Sequence, residues 1–236
     1  QLKKCKYNIS TIIHTASIND KKSNSDNNSI YKNLEITIKI LKDLDINKLK
    51  KVIYLSSAQV YGSNLIRDVN EETQLIPINN YGISRCFNEL FLKKFSKQFK
   101  KNLIILRISN VVGDPAIINR ECLRLLPNDI KNQANLYGKL TLRSSGLQYR
   151  NFISIGSVIR TILKLRLIKS KGILIFNLGG VNIKIKEFIK KFIKLYKTHK
   201  NKKLKTYILS NKPKNSHKLN YSDKRLRSFL NIKKRE

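Results

Sequence analysis

Short apolar runs alternating with amphipathic stretches predict an α/β chain, a doubly wound parallel sheet with helices on both faces. Two observations carry that expectation. Residues 10–14 (STIIH), 51–56 (KVIYLS) and 102–107 (NLIILR) are apolar, β-branched runs that end abruptly in small or polar residues, the pattern of strands buried on both faces. Between them, apolar residues recur three or four positions apart, as on a helix with one buried face. With 236 residues, 41% of them apolar, the chain can form one such core and a small second lobe.

Taken in order, the run at 10–14 passes through the small residues Thr15, Ala16 and Ser17 into a polar stretch to Asn28 that reads as a loop. Residues 29–45 set Ile30, Leu34, Ile38, Leu41 and Leu44 on one helical face, and Asn33 falls on the same element. The strand at 51–56 opens at Ser56, Ser57 and the Tyr61-Gly62 pair into a polar connection, 63–80, that holds Asp68, Glu71, Glu72 and Pro77. A helix over 81–100 is expected to bury Ile83, Phe87, Leu90, Phe91 and Phe95. Beyond the strand at 102–107 and the turn ISNVVGDP, helices are expected over 119–131, 157–169 and 185–198, the last with Phe188, Phe192 and Leu195 in the core. ILIFNLGG reads as a strand ending in a Gly-Gly turn, and YSDKRLRSFLN as a short final helix.

The chemistry concentrates between residues 51 and 85. Ser57 puts a hydroxyl where a buried strand opens into a loop, and Arg85 follows Tyr81 by one helical turn. A free tyrosine holds its proton up to a pKa of about 10, and a neighbouring cation favours the phenolate. A serine that holds a substrate oxygen and a tyrosine that moves its proton form the positioned acid-base pair that hydride transfer needs. A tyrosine and an arginine on the wet side of an amphipathic helix is the plain alternative.

Forty-nine Lys and Arg against 15 Asp and Glu give a net charge of +34, a value associated with polyanion binding. The excess is mostly lysine spread through the whole length, so no specific nucleic-acid surface is expected. Cys5, Cys86 and Cys122 form no C-x-x-C or Cys/His cluster. They read as reduced thiols, Cys86 as a packed side chain, and no metal site is expected. No apolar run long enough to insert in a membrane is present, and the cytoplasm is the default location.

The string SSAQVYG followed by YGISR resembles the extended short-chain dehydrogenase/reductase family, in particular its NAD-dependent nucleotide-sugar epimerases and dehydratases. Members carry S-S-x-x-V-Y-G at a strand end and Y-x-x-x-K on the next helix. The resemblance continues in STIIHTA, in the R-x-x-N-x-x-G-x-P turn from Arg107 to Pro115, in LTLRSSGLQYRNFISI, in FNLGG and in YSDKRLRSFLN. It spans about 9–231 and implies a Rossmann-like fold, with a nucleotide-binding part over 1–115 and mainly a substrate lobe over 116–236.

By that resemblance Ser57 and Tyr81 match the catalytic serine and tyrosine, and Arg85 stands where the family has a lysine. Because a guanidinium is not an equivalent part, Arg85→Lys is expected to raise turnover in the complete enzyme. His14, Ala16, Asn33 and Ser56, with Tyr81 and Arg85, would lie along NAD or NADP. Asn110 and Arg150, with Ser57, would hold a nucleotide-sugar substrate, with surface polysaccharide synthesis as the setting. Asn151 replaces the family's aspartate and Ile155-Gly156-Ser157 an acid-containing turn, so a weaker start to the following helix is expected. Family members commonly pair through the tyrosine-bearing helix, which implies a homodimer. The family's Gly-x-x-Gly-x-x-Gly loop has no counterpart among the nine glycines. The chain, lacking methionine, therefore reads as a piece that would start about 55–60 residues into a relative. Two other readings accompany the enzyme: a non-catalytic or truncated member that binds nucleotide or a protein partner, and a basic polyanion-binding protein.

Overall fold

The computed structural model describes residues 8–116, 122–209 and 217–232. In chain order its first elements are β1 (Thr11–His14), α1 (Asp20–Ser25), α2 (Ser29–Lys42), β2 (Lys51–Ser57), β3 (Asp68–Val69), α3 (Asn80–Gln98), β4 (Asn102–Ile108) and β5 (Asn110–Val112). There follow α4 (Leu126–Tyr137), β6 (Lys139–Leu142), β7 (Tyr149–Ser154), α5 (Ile155–Leu167), β8 (Ile173–Leu178), β9 (Val181–Lys184), α6 (Ile185–Lys200), β10 (Lys205–Ile208), β11 (Asn220–Tyr221) and α7 (Lys224–Phe229).

The β-branched runs form a parallel sheet in the order β1-β2-β4-β8. Val52 lies opposite Leu103 and Leu106 opposite Phe176. Both faces are covered, which is why these strands are apolar throughout rather than alternating. On one face Ile53, Ile104, Leu106 and Phe176 pack against Val158 and Leu165 of α5 and Leu226 of α7. On the other, Val52, Tyr54, Leu103 and Ile105 pack against Leu41 of α2 and Leu92 and Phe95 of α3. Each fully buried aliphatic side chain stabilises the fold by about 1.5–3 kcal/mol relative to its exposed state. With every strand parallel, the ends of β1, β2, β4 and β8 share one edge, and the residues that follow them are brought together there.

The later chain adds a three-stranded sheet, β5-β7-β9, and the pairs β6-β10 and β3-β11. A separate core of Ile130, Ala134, Leu140, Leu142, Ile185 and Ile189 holds α4 and α6 to β6.

Several expectations change. Residues 20–25, read as loop, are helical because Asn19 accepts a hydrogen bond from the Lys22 N–H and caps the turn. The helix expected over 119–131 begins at Leu126, next to Pro127, whose ring suits a first helical turn; residues 117–121 lie outside the described residues. Phe87 and Leu90 are 45% and 62% exposed rather than buried. The inward face of α3 is instead polar, made of Ser84, Arg85, Asn88 and Glu89 together with Leu92 and Phe95. Leu195 is likewise 59% exposed. Far from starting weakly, α5 is capped by the Ser154 hydroxyl, which accepts from the Ser157 N–H at 3.2 Å.

Candidate active site

The turn that carries Ser57 is built against the turn that carries Tyr81. After β2 the chain tightens into a 3-10 turn over Ala58–Asn64, capped by Ser57 Oγ, which accepts from the Gln59 N–H at 3.2 Å. Gly62 has φ +51°, and a Cβ there would sit 1.8 Å from the Ile76 carbonyl oxygen, so only glycine lets the two loop segments meet. Asn79 caps α3 by accepting from the Gly82 N–H at 2.8 Å, and its amide donates to Gln59 Oε1 at 2.9 Å. Helix α1 joins the same assembly, since Asn24 Oδ1 accepts from the Tyr81 N–H at 3.1 Å.

Arg85 is the hub. It is 7% exposed, and its Nη2 donates to Tyr81 Oη at 2.8 Å and Ser17 Oγ at 2.8 Å. Nη1 donates to the Leu55 carbonyl at 3.1 Å and Tyr54 Oη at 3.3 Å. The guanidinium also lies over the Tyr81 ring, 4.7 Å from its centroid. Burial works to lower the pKa of Arg85, but the phenols of Tyr54 and Tyr81 outweigh it and leave the group above its ordinary value. Burial pushes the Tyr54 phenol up to about 12, so it stays a neutral dipole.

A buried polar chain runs behind this hub. His14 Nε2 lies 2.8 Å from Thr37 Oγ1, and the Thr37 hydroxyl donates to Asn88 Oδ1. Because Thr37 spends its proton on Asn88, His14 carries its own on Nε2 and leaves Nδ1 a bare acceptor. Burial first, then the positive charge of Arg85, lowers the pKa of His14 to about 4, so the ring is neutral. Asn33 accepts from the Ile18 N–H at 2.7 Å and donates to Ser84 Oγ at 3.1 Å, which fastens the segment after β1 to α3. Ala16 is exposed at the tip of β1. The Ser56 hydroxyl turns into the core, donating to Glu89 Oε1 at 2.6 Å. Cys86 is packed beside the Val60 carbonyl, and burial, with the negative charge of Glu89, pushes its thiol up to about 11; Cys5 lies outside the described residues.

Asn110, which follows β4, and Arg150 lie together on the β5-β7-β9 sheet. Asn110 donates to the Asn151 carbonyl at 2.9 Å, and Arg150 is exposed on the neighbouring strand. Asn151 holds the Gly179-Gly180 turn by accepting from the Gly180 N–H at 2.9 Å and donating to Asn182 Oδ1 at 2.8 Å. Gly180 has to be glycine, since a Cβ would fall 2.2 Å from the Phe152 carbonyl oxygen.

The NAD dependent epimerase/dehydratase family matches residues 2–179. This chain belongs to that family. Within it, dTDP-D-glucose 4,6-dehydratase of Homo sapiens is 30% identical over 154 residues, covering 64% of this chain and 41% of the human protein. A putative UDP-glucose 4-epimerase of Methanocaldococcus jannaschii is 29% identical over 163 residues, covering 66% and 51% respectively. The chain thus spans about half or less of the length of these relatives. Among solved family folds, UDP-N-acetylglucosamine 4-epimerase from Methanobrevibacter ruminantium superposes with a TM-score of 0.82 at 22% identity, over 100% of this chain and 74% of that one. UDP-glucose 4-epimerase from Bifidobacterium longum, solved with NAD+ and UDP, gives 0.77 at 23% identity over 98% and 73%. They confirm the Rossmann-like α/β architecture.

Local spacing in the family motif points to Tyr81 and Arg85 but not to their supports. Tyr54 was hidden in an apolar run, where a lone phenol is the one polar signal. Ser17, 68 residues from Arg85, carries no local signal of the contact. The ion pair of Arg107 with Glu89, 2.8 Å long and buried, joins residues on separate elements and was equally invisible.

Proposed function

We propose that this chain carries the acid-base and substrate-facing part of an NAD(P)-dependent epimerase or dehydratase acting on a nucleotide-activated sugar. The observation that carries the reading is the 2.8 Å hydrogen bond from the buried Arg85 guanidinium to the Tyr81 phenol oxygen. Two buried polar atoms beside it have no partner, the donor Arg85 Nε and the acceptor His14 Nδ1. One free donor and one free acceptor near the tip of β1 suit a hydroxyl-bearing ligand such as the ribose of a dinucleotide.

Bound NAD would accept a hydride from a sugar carbon and return it. Tyr81, as the phenolate, takes at its oxygen the proton of the hydroxyl borne by that same carbon, and later gives it back. Arg85 supplies positive field to that oxygen, Ser57 holds the sugar oxygen, and Asn33 and His14 fix the segment after β1 on which the cofactor rests. Ala16 allows close backbone approach, and Ser56 acts through Glu89 by holding the end of β2. Asn110 and Arg150 hold the nucleotide, the forked and permanently charged arginine matching a diphosphate. Surface polysaccharide synthesis is the proposed setting, and the exposed Phe87 and Leu90 on α3 support pairing of two copies.

Without the Gly-rich part the chain is expected to be inactive, so the test is turnover of a panel of nucleotide sugars with NAD by the complete protein, wild-type and Tyr81→Phe. A loss of about 10²–10⁴-fold is expected; unchanged turnover removes Tyr81 from the acid-base role. A second reading is a non-catalytic member that binds nucleotide. It is favoured by the four protein acceptors that already occupy Arg85. Calorimetric titration with NAD and the same sugars, giving binding without turnover, would select it.

A further inference from the structure

We propose that Tyr54 and Ser17 are positioning residues that orient the Arg85 guanidinium toward Tyr81 and so make an arginine serviceable at this position. The inference rests on the proton-transfer reading of Tyr81. A guanidinium has five N–H donors in a rigid plane. Four are committed: Nη1 to Leu55 O and Tyr54 Oη, Nη2 to Ser17 Oγ and Tyr81 Oη. The fifth, on Nε, is buried with no partner. Fixing Nη1 on β2 therefore sets the plane that presents Nη2 to Tyr81.

The two supports are themselves held. Tyr54 is buried in the β2 core, its ring 5.2 Å from that of His14. Ser17 donates its own proton to the Ile18 carbonyl at 2.6 Å, so its oxygen turns lone pairs to Arg85. With Tyr54 removed, Nη1 keeps only the Leu55 carbonyl and the plane can swing about that contact. An ammonium cannot replace the fork, because a single nitrogen does not span the Tyr54/Leu55 side and the Ser17/Tyr81 side together. On this proposal Arg85→Lys alone strands acceptors on β2, and the gain expected of it needs Tyr54→Phe beside it.

A double-mutant cycle over positions 54 and 85 tests this, using the complete protein in wild-type, Y54F, R85K and Y54F/R85K forms. Two readouts are taken, the unfolding midpoint in urea and the 13Cζ NMR resonance of Tyr81, assigned by its loss in Y81F. Tyr54→Phe is expected to move the Tyr81 resonance in the arginine background and to leave it in place in the lysine background. Turnover should fall about tenfold in kcat with KM unchanged, the mark of a misplaced group rather than weakened binding. Ser17→Ala, at a partly exposed site, should move the same resonance, and it keeps the test decisive where Y54F does not fold. A Tyr54→Phe variant that lowers only the urea midpoint, with the Tyr81 resonance and kcat unmoved, overturns the inference and leaves Tyr54 a packed core side chain. If instead the cycle shows coupling while Tyr81→Phe keeps full turnover, the positioning stands and the proton-transfer reading fails.

Discussion

Two arginines lie in the interior on neighbouring elements, and the fold treats their charges in opposite ways. Arg107 of β4, 2% exposed, meets the Glu89 carboxylate through Nη2 at 2.8 Å and Nε at 3.1 Å. Arg85 of α3 meets only neutral oxygens, and no carboxylate pairs with it among the described residues. Each guanidinium lies over a tyrosine ring, 5.1 Å from the centroid of Tyr61 and 4.7 Å from that of Tyr81. The pair thus differs above all in the presence of a counter-charge. A compensated buried charge ties strand to helix, whereas an uncompensated one leaves its field available to whatever negative charge develops beside it.

The comparison breaks most visibly at Glu89. Glu89→Ala strands the Arg107 charge in the core and is expected to cost about 3–5 kcal/mol, read by urea unfolding. A cost under about 1 kcal/mol would mean that Arg107 is no more dependent on a partner than Arg85 is.

Next in size is the pH response on the Arg85 side. An unfolded histidine takes up a proton near pH 6.5, whereas folded His14 does so only at about 4. Across that window the unfolded state binds more protons, so stability is fully present above pH 6.5 and falls as the pH drops toward 4. Below that it is flat in this group. The total is on the order of 3 kcal/mol. Urea midpoints measured from pH 7 to pH 4 should show the slope, and His14→Gln should remove it. The NMR titration of His14 should move upward in Arg85→Met, since the field of Arg85 is the second cause of its depression.

A direct contrast comes from replacing each arginine with methionine. Arg107→Met leaves a bare buried carboxylate and should exceed Arg85→Met by about 2 kcal/mol in denaturant unfolding, because no acid is stranded at position 85. Equal costs would erase the distinction. The smallest effect is expected at the rim of the Arg107 network, where Arg225 reaches Glu72 at 2.5 Å with nearly half of its side chain in water. Arg225→Ala should cost less than about 1 kcal/mol, with half of that lost in 0.5 M salt.

The strands at 10–14, 51–56 and 102–107 were legible because a parallel sheet covered on both faces needs uninterrupted apolar runs, and each appears within about two residues of its expected bounds. Helix α1 was not, because Asp20–Ser25 has no apolar periodicity and owes its turn to Asn19. The face of α3 was misread for a related reason. Its inward positions carry Arg85, Asn88 and Glu89, polar groups hydrogen-bonded to β2, α2 and β4, so apolar spacing pointed to Phe87 and Leu90 on the outer side. Tyr81 and Arg85 could be paired from one helical turn, but the partners that orient the arginine come from β2 and from the segment after β1. Only the folded sheet brings those segments within reach.

Lys51, in a chain whose lysines mostly face water, is buried at the start of β2 and donates to the carbonyls of Leu165, Arg166 and Ile168 at the end of α5. Those carbonyls close one helix with an ammonium from a strand more than a hundred residues earlier. The final turn of α5 closes on itself through the Ile168 N–H and the Lys164 carbonyl, but its last carbonyls find a buried donor only in β2. Amide exchange at the tail of α5 should therefore report the opening of a distant strand.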